Sequence, residues 1–162
     1  MCHSQHYPLC LTLLRRVYDL DTPARVLDLG TGTGVLALAT LALGARQVVA
    51  VEYNDLAVNT AARNVRHVAK EQEIFLIHGD ARHFAYPQAD LALANIHQDI
   101  LLDLLNIPEF LNKKWYIFSG ILGAQAERFL EALKVTPLAT QEVLDDNLWF
   151  AVLAANRGLM EG

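Results

Sequence analysis

Residues 25–37 constrain the fold of this chain more than any other segment. They begin with an apolar, β-branched run, continue through Asp28 into glycines that alternate with threonines at Gly30, Gly32 and Gly34, and end in an alanine- and leucine-rich helical pattern. This order predicts a buried strand, a tight turn and the N-terminus of a helix. Alternating glycines let a ligand come within contact distance of the main chain. The unpaired N–H groups at the helix start favour a small, partly polar ligand.

Length and composition predict one globular domain over residues 1–162, since 53% of the residues are hydrophobic and only 19% are charged. The formal net charge is −5 and the basic residues are scattered, so we expect no stable binding of nucleic acid. The longest apolar run, Val35–Leu43, is too short to span a bilayer, and residues 1–6 do not resemble a signal peptide. Cys2 and Cys10 are expected to be reduced thiols, which favours the cytoplasm.

Strand-like and helical patterns alternate along most of the chain. Strands are predicted over residues 25–29, 47–51, 74–77, 89–94 and 115–118. Helices are predicted over residues 8–20, 35–43, 100–105 and 124–133, with one more that is capped at 54–55 and runs to about 68. The alternation indicates an α/β fold with a Rossmann-like parallel sheet and helices on both faces.

The end of the chain departs from this alternation. Residues 135–144 and 148–154 are both strand-like, and only a short polar turn separates them. Because no crossover helix fits between them, they predict an antiparallel β-hairpin. The expected fold is a seven-stranded, mostly parallel sheet that ends in this hairpin, with a leading helix within residues 1–22 and a core over residues 25–157.

Four features fall at the carboxyl ends of predicted strands, where open parallel sheets bind their ligands. They are the loop from Asp28 to Gly34, Glu52 after the second strand, Asp80 after the third and Asn95 at the end of the fourth. A carboxylate at Glu52 can accept hydrogen bonds from the two vicinal hydroxyls of a ribose, and Asp80 suits the amino group of a base. Together they predict a site for an adenosine that carries a further group.

Two classes of cofactor use such a site, and the glycine loop distinguishes them. A dinucleotide site requires G-x-G-x-x-G, but here Gly34 comes one residue early and Val35 occupies the expected glycine position. Asp28 would repel an anionic pyrophosphate, whereas it would attract the sulfonium and ammonium groups of S-adenosylmethionine. We therefore predict S-adenosylmethionine as the cofactor, with a nicotinamide dinucleotide as the less favoured alternative.

Several segments resemble a known family. Residues 26–34 look like the first motif of class I methyltransferases that depend on S-adenosylmethionine. Residues 41–45, 49–52, 54–58, 61–64, 93–96, 118–122 and 148–153, together with Gln125, resemble the ribosomal-protein methyltransferases, which trimethylate amines on the eleventh large-subunit protein. The resemblance covers roughly residues 25–157 and corresponds to the catalytic domain of that family without its N-terminal recognition domain.

The resemblance implies which residues bind the cofactor. Asp28, Gly30 and Gly32 would line its methionine part, Glu52 would hold the ribose and Asp80 would face the adenine. The remaining positions expected to contribute are Thr31, Gly34, Tyr53, Ala81 and Asn95. Each carboxylate also has a plain structural alternative; Asp80, in particular, suits the N-cap of a following turn.

Asn95 is the expected catalytic residue, because the resemblance puts its carbonyl beside the transferred methyl, where it can orient an attacking amine. Alignment of the reacting groups would then supply most of the catalysis. His97 is the one candidate for a general base, although a helix-start or surface role suits it as well. No metal site is expected, because Cys2 with His3 and His6 makes a poor zinc site.

The leading prediction is therefore a cytoplasmic S-adenosylmethionine-dependent methyltransferase that modifies a protein amine or a small molecule. The alternative is a non-catalytic module with the same fold, which binds the cofactor or serves as a partner subunit. The sequence leaves the acceptor open, and it also leaves open a partner subunit or a homo-oligomer.

Overall fold

The computed structural model describes residues 7–161, so the prediction about Cys2, His3 and His6 lies outside the described residues. The described strands are β1 (Arg25–Leu29), β2 (Gln47–Glu52), β3 (Ile74–His78), β4 (Leu91–Asn95), β5 (Trp115–Leu122), β6 (Leu138–Asp145) and β7 (Trp149–Asn156). The helices are α1 (Tyr7–Leu20), α2 (Val35–Leu43), α3 (Asp55–His67), α4 (Gln98–Leu104), α5 (Gly123–Lys134) and α6 (Arg157–Met160). Short 3₁₀ turns occur at Ala81–Phe84 and Pro108–Asn112. Within residues 7–161, no helix has both the length and the apolar character needed to cross a membrane.

All seven strands belong to one sheet in the order β3-β2-β1-β4-β5-β7-β6. The first five strands are parallel, and β7 is antiparallel to both β5 and β6. The predicted sheet with its terminal hairpin is thus confirmed. Strand order reverses between β1 and β4, so the crevice at the carboxyl ends of these two strands is where a ligand is expected.

Helices cover both faces of the sheet, as predicted. Residues of α1, α2 and α3 pack on one face against alternate strand residues such as Val26, Leu93 and Ile117. Residues of α4 and α5 pack on the other face against the intervening positions, such as Leu27 and Phe118. Side chains two positions apart on a strand lie on the same face of the sheet. Asp28, Asn95 and Ser119 each come two positions after one of the residues just named, Val26, Leu93 and Ile117, and so lie on the face covered by α1.

The largest differences from the predicted boundaries occur around β5 and β6. β5 extends to Leu122 because its last residues pair with β7 beyond an irregularity in register. The predicted strand at 135–144 begins only at Leu138, since Thr136 turns back towards α5 and donates its hydroxyl to the Leu133 carbonyl at 2.6 Å. Pro137 has no N–H to donate to a sheet, which also delays the start of the strand.

Candidate active site

The loop between β1 and α2 is fixed to the neighbouring strand by its own backbone. The N–H groups of Gly30 and Thr31 both donate to the carbonyl of Val51 in β2, at 2.8 and 3.0 Å. Gly30 has a φ of 73°, and a Cβ added there would lie only 2.0 Å from Cγ2 of Ile96. The loop after β4 therefore packs directly on this glycine. Gly34 is the N-cap of α2.

Asp28 is wholly buried at the base of this loop, with an exposure of 0%. Its Oδ2 accepts a hydrogen bond from the Thr31 hydroxyl at 2.6 Å, whereas its buried Oδ1 has no hydrogen-bond partner among residues 7–161. Burial and, to a smaller extent, the charge of Glu52 together raise the pKa of Asp28 to about 7, against the opposing effects of the Thr31 hydroxyl and the Ala37 amide. An incompletely paired, buried carboxyl group favours a positively charged ligand nearby.

Glu52 lies at the end of β2, on the same side of the glycine loop. Its Oε2 accepts a hydrogen bond from the Gly32 N–H at 2.8 Å, and its Oε1 accepts one from the Asn54 N–H at 2.9 Å. These two contacts hold the carboxylate in one orientation and leave each oxygen with a further lone pair. Tyr53 follows with a side chain that is 74% exposed at the same edge of the sheet.

Asp80 follows shortly after β3, and its carboxylate forms an ion pair with Arg82. Its Oδ1 caps the 81–84 turn by accepting from the Arg82 N–H at 2.9 Å, and the guanidinium of Arg82 contacts both carboxylate oxygens at 3.0 and 2.7 Å. Arg82 thereby lowers the pKa of Asp80 to about 2. The structural alternative noted for Asp80 is thus present, and its contact with adenine stays a prediction. Ala81 is buried directly beside it.

Asn95 is the last residue of β4, and its side chain faces the same crevice edge as Asp28. The residue is only 4% exposed, and no group in the described part of the chain donates a hydrogen bond to its Oδ1. In the β4–β5 register it lies opposite Ser119, whose hydroxyl shares a 2.7 Å hydrogen bond with the thiol of Cys10 in α1. Burial raises the pKa of this thiol to about 12.

The sequence analysis assigned no role to Ser119, although residues 118–122, which include it, carry part of the family resemblance. The register of β4 against β5 is the signal that brings it beside Asn95, and a single sequence does not contain that register. His97 is exposed at the N-cap position of α4, which agrees with its surface alternative. Among residues 7–161, no cluster of three or more His, Cys, Asp or Glu side chains is arranged to hold a metal ion.

The strand order, the antiparallel β7 between β5 and β6, and the polar side chains at the carboxyl edge define the fold of class I methyltransferases. A crystal structure of ribosomal protein L11 methylase from Lactobacillus delbrueckii subsp. bulgaricus shares this fold, with a TM-score of 0.74 and 28% identity, over 90% of this chain and 76% of that one. Residues 5–157 match the family described as ribosomal protein L11 methyltransferase (PrmA), and the chain belongs to this family.

Curated relatives agree with this family. The protein named ribosomal protein L11 methyltransferase from Gloeobacter violaceus is 37% identical over 145 residues, which cover 87% of this chain and 44% of the relative. The relative of the same name from Alkaliphilus oremlandii is 30% identical over 152 residues, which cover 93% of this chain and 48% of the relative. The chain thus spans about half the length of the curated relatives it matches.

Proposed function

We propose that this chain is an S-adenosylmethionine-dependent methyltransferase that modifies an amine nitrogen of a protein. The observation that carries the proposal is the buried carboxyl group of Asp28, whose Oδ1 accepts no hydrogen bond from residues 7–161 and which lies within electrostatic reach of Glu52 beneath the glycine loop. In this low-dielectric setting a ligand with a positive charge is stabilised even without direct contact. A dinucleotide phosphate would be repelled at the same place.

The residues at the carboxyl edge fit this cofactor. Asp28 with the glycine loop would hold the methionine part, and Glu52, oriented by Gly32 and Asn54, has lone pairs for the ribose hydroxyls. When bound, S-adenosylmethionine supplies an electrophilic methyl group on a positively charged sulfur. At the adenine end we propose Asp80 together with Ala81 and Tyr53, and Asp80 would share its carboxylate between Arg82 and the base.

Asn95 supplies the acceptor side of the proposed site. An amide oxygen to which no group in residues 7–161 donates can accept an N–H from an incoming neutral amine and so hold the nitrogen lone pair in line for attack. Amide oxygen and nitrogen exchange places when the terminal torsion rotates, so the oxygen can face either β5 or the crevice. A neutral amine needs no strong base to attack, since its extra proton leaves after the methyl has been transferred.

A ribosomal protein is the acceptor we favour, and this choice rests on the names of the curated relatives. A small-molecule amine is the alternative acceptor. A cytoplasmic location is part of the proposal, supported by the free Cys10 thiol and by a ribosomal acceptor.

Titration calorimetry with S-adenosylmethionine and S-adenosylhomocysteine tests the cofactor. At pH 8, above the raised pKa of Asp28, Asp28→Asn and Glu52→Gln should each weaken binding by at least about tenfold, or about 1.4 kcal/mol, because each then removes a negative charge from the site. Asp19→Asn and Glu131→Gln are the matched controls, since both residues lie in exposed helical ion pairs away from the site and should leave binding unchanged. No binding at about 1 mM cofactor would contradict the proposal.

Transfer of a radiolabelled methyl group tests the reaction. Label in purified ribosomal protein L11 supports a protein acceptor, whereas label only in small metabolites of an extract overturns that part of the proposal. Cofactor binding without transfer to either substrate would favour the non-catalytic alternative.

A further inference from the structure

Asn95 and Ile96 lie between Gly30 and Gly120. Both glycines have a positive φ, so any other residue at either position would strain the backbone. On one side is Gly30, with its close approach to Ile96. On the other is Gly120 in β5, whose φ of 79° lies in the left-handed region. Because neither glycine has a side chain, the Asn95–Ile96 main chain can approach both of them closely, and its position depends on both.

Gly120 lies within an irregularity of β5. The pairing of β5 with β7 shifts register between Phe118 and Ile121, so the residues between them form a bulge. On the other side of the same strand, Ser119 remains paired with Asn95 of β4. Bulges commonly re-aim side chains next to functional sites. This bulge turns the main chain of Gly120 towards the Asn95 carboxamide.

The space left by the missing side chain of Gly120 lies next to the Asn95 carboxamide. A Cβ added at Gly120 would lie 3.2 Å from Oδ1 of Asn95 and 2.9 Å from the carbonyl oxygen of Ile96. The Asn95 carboxamide therefore borders the volume that a side chain at position 120 would fill. An amide NH₂ group needs more room than an oxygen, so rotation of the carboxamide also depends on this volume staying open.

We propose that Gly120 is a positioning residue for Asn95: by lacking a side chain it keeps the room in which the carboxamide rotates and turns its oxygen towards the acceptor amine. For the rate of methyl transfer this inference rests on the proposed function. The placement of Asn95 by Gly120 stands apart from it and can be measured in the protein alone.

The test is Gly120→Ala with two matched controls. Gly44→Ala introduces an alanine at another positive φ, of 123°, where a Cβ meets nothing within 4 Å, and so reports backbone strain alone. Gly123→Ala adds a Cβ nearby, and that atom meets Phe150 at 3.4 Å rather than Asn95. All three variants are compared with wild type for folding, cofactor affinity and methyl-transfer rate.

In Gly120→Ala the transfer rate should fall by about 100-fold, while cofactor affinity changes by no more than about twofold. Both controls should keep the wild-type rate. If Gly120 acts through Asn95, Gly120→Ala should have little further effect in an Asn95→Ala background. The double variant and Asn95→Ala should differ in single-turnover rate by less than about threefold. A rate in Gly120→Ala equal to that of Gly44→Ala would overturn the proposal.

The side-chain amide resonances of Asn95, assigned by their loss in Asn95→Asp, give a readout that needs no activity. Gly120→Ala should shift them, and Gly44→Ala should not. Unshifted Asn95 resonances in a folded Gly120→Ala protein contradict the inference even if wild type is active. If wild type transfers no methyl group, the proposed function fails while this measurement still decides the role of Gly120.

Discussion

At the scale of single residues, Asp28 links the fold to the proposed chemistry. Its carboxyl group lies under the glycine loop, shielded from water, and within the described residues only one of its two oxygens accepts a hydrogen bond. A native protein carries such a group at a cost in stability, because burial disfavours its charged form. That cost is reduced when a cation binds nearby, which is the physical reason for regarding Asp28 as part of a ligand site.

The raised pKa of Asp28 has a defined effect on stability. Between pH 4 and 7 the unfolded chain has lost this proton while the folded chain keeps it, because the folded pKa is about 7 and an unperturbed aspartate has a pKa of about 3.9. The free energy of unfolding should therefore fall as pH rises through this window, by up to about 4 kcal/mol from this group, and level off above it.

Urea unfolding of wild type and Asp28→Asn from pH 5 to pH 8 measures this contribution. The variant should gain stability relative to wild type as pH rises, whereas the exposed Asp19→Asn should follow wild type throughout. A constant difference between wild type and Asp28→Asn at every pH would show that Asp28 titrates normally.

At the scale of elements, helix α1 connects the start of the described chain to the candidate site. Its buried face is formed by Cys10, Leu13, Leu14 and Val17, and it packs against the sheet on the same face as Asp28 and Asn95. The hydrogen bond between Cys10 and Ser119 ties it to β5 directly beside Asn95. At the far side, Arg16 forms an ion pair with Glu142 of β6 at 2.6 Å.

This packing makes α1 part of the core, and a pair of leucines tests it. Leu13→Ala should lower the free energy of unfolding by about 2–5 kcal/mol, because it leaves a cavity at a position with 0% exposure. Leu11→Ala, on the same helix with 38% exposure, should cost less than about 1 kcal/mol. Equal losses in chemical denaturation would mean that α1 does not dock as described.

At the scale of the whole molecule, one continuous sheet carries both apolar layers. The buried residues on the two faces include Leu91 and Leu93 on one side and Leu27 and Leu29 on the other, all in neighbouring central strands. Neither layer can separate without breaking this sheet. That the chain forms a single domain stays a prediction, which its unfolding behaviour tests.

If the predicted single domain is right, the chain should unfold in one step. Trp115 in β5 and Trp149 in β7 report on the antiparallel half of the sheet, and far-ultraviolet circular dichroism reports on all helices. Urea transitions followed by tryptophan fluorescence and by circular dichroism should coincide. Separate midpoints, or a plateau between two transitions, would show that the hairpin half unfolds independently of the parallel half.

The sequence by itself determined the seven strands, five of the six described helices and the edge of the sheet at which a ligand is expected. Periodicity, glycine spacing and the polar turn before β7 are properties of neighbouring residues, so β1 and α2 were predicted with their observed bounds. The positions of Asp28, Glu52 and Asn95 at strand ends follow from the same local patterns.

Only the tertiary structure decided what those side chains meet. Cys10 and Ser119 are 109 positions apart, and their contact depends on how α1 packs and on the register of β5. The ion pair between Asp80 and Arg82 depends on how the turn after β3 folds back. The space beside Asn95 depends on a bulge in β5 that is seen only in the pairing of β5 with β7. The Cys10–Ser119 contact and the β5 bulge depend on residues distant in sequence, so no local pattern encodes them. The N-cap role of Asp80 was visible locally, but its ion pair with the Arg82 side chain was not.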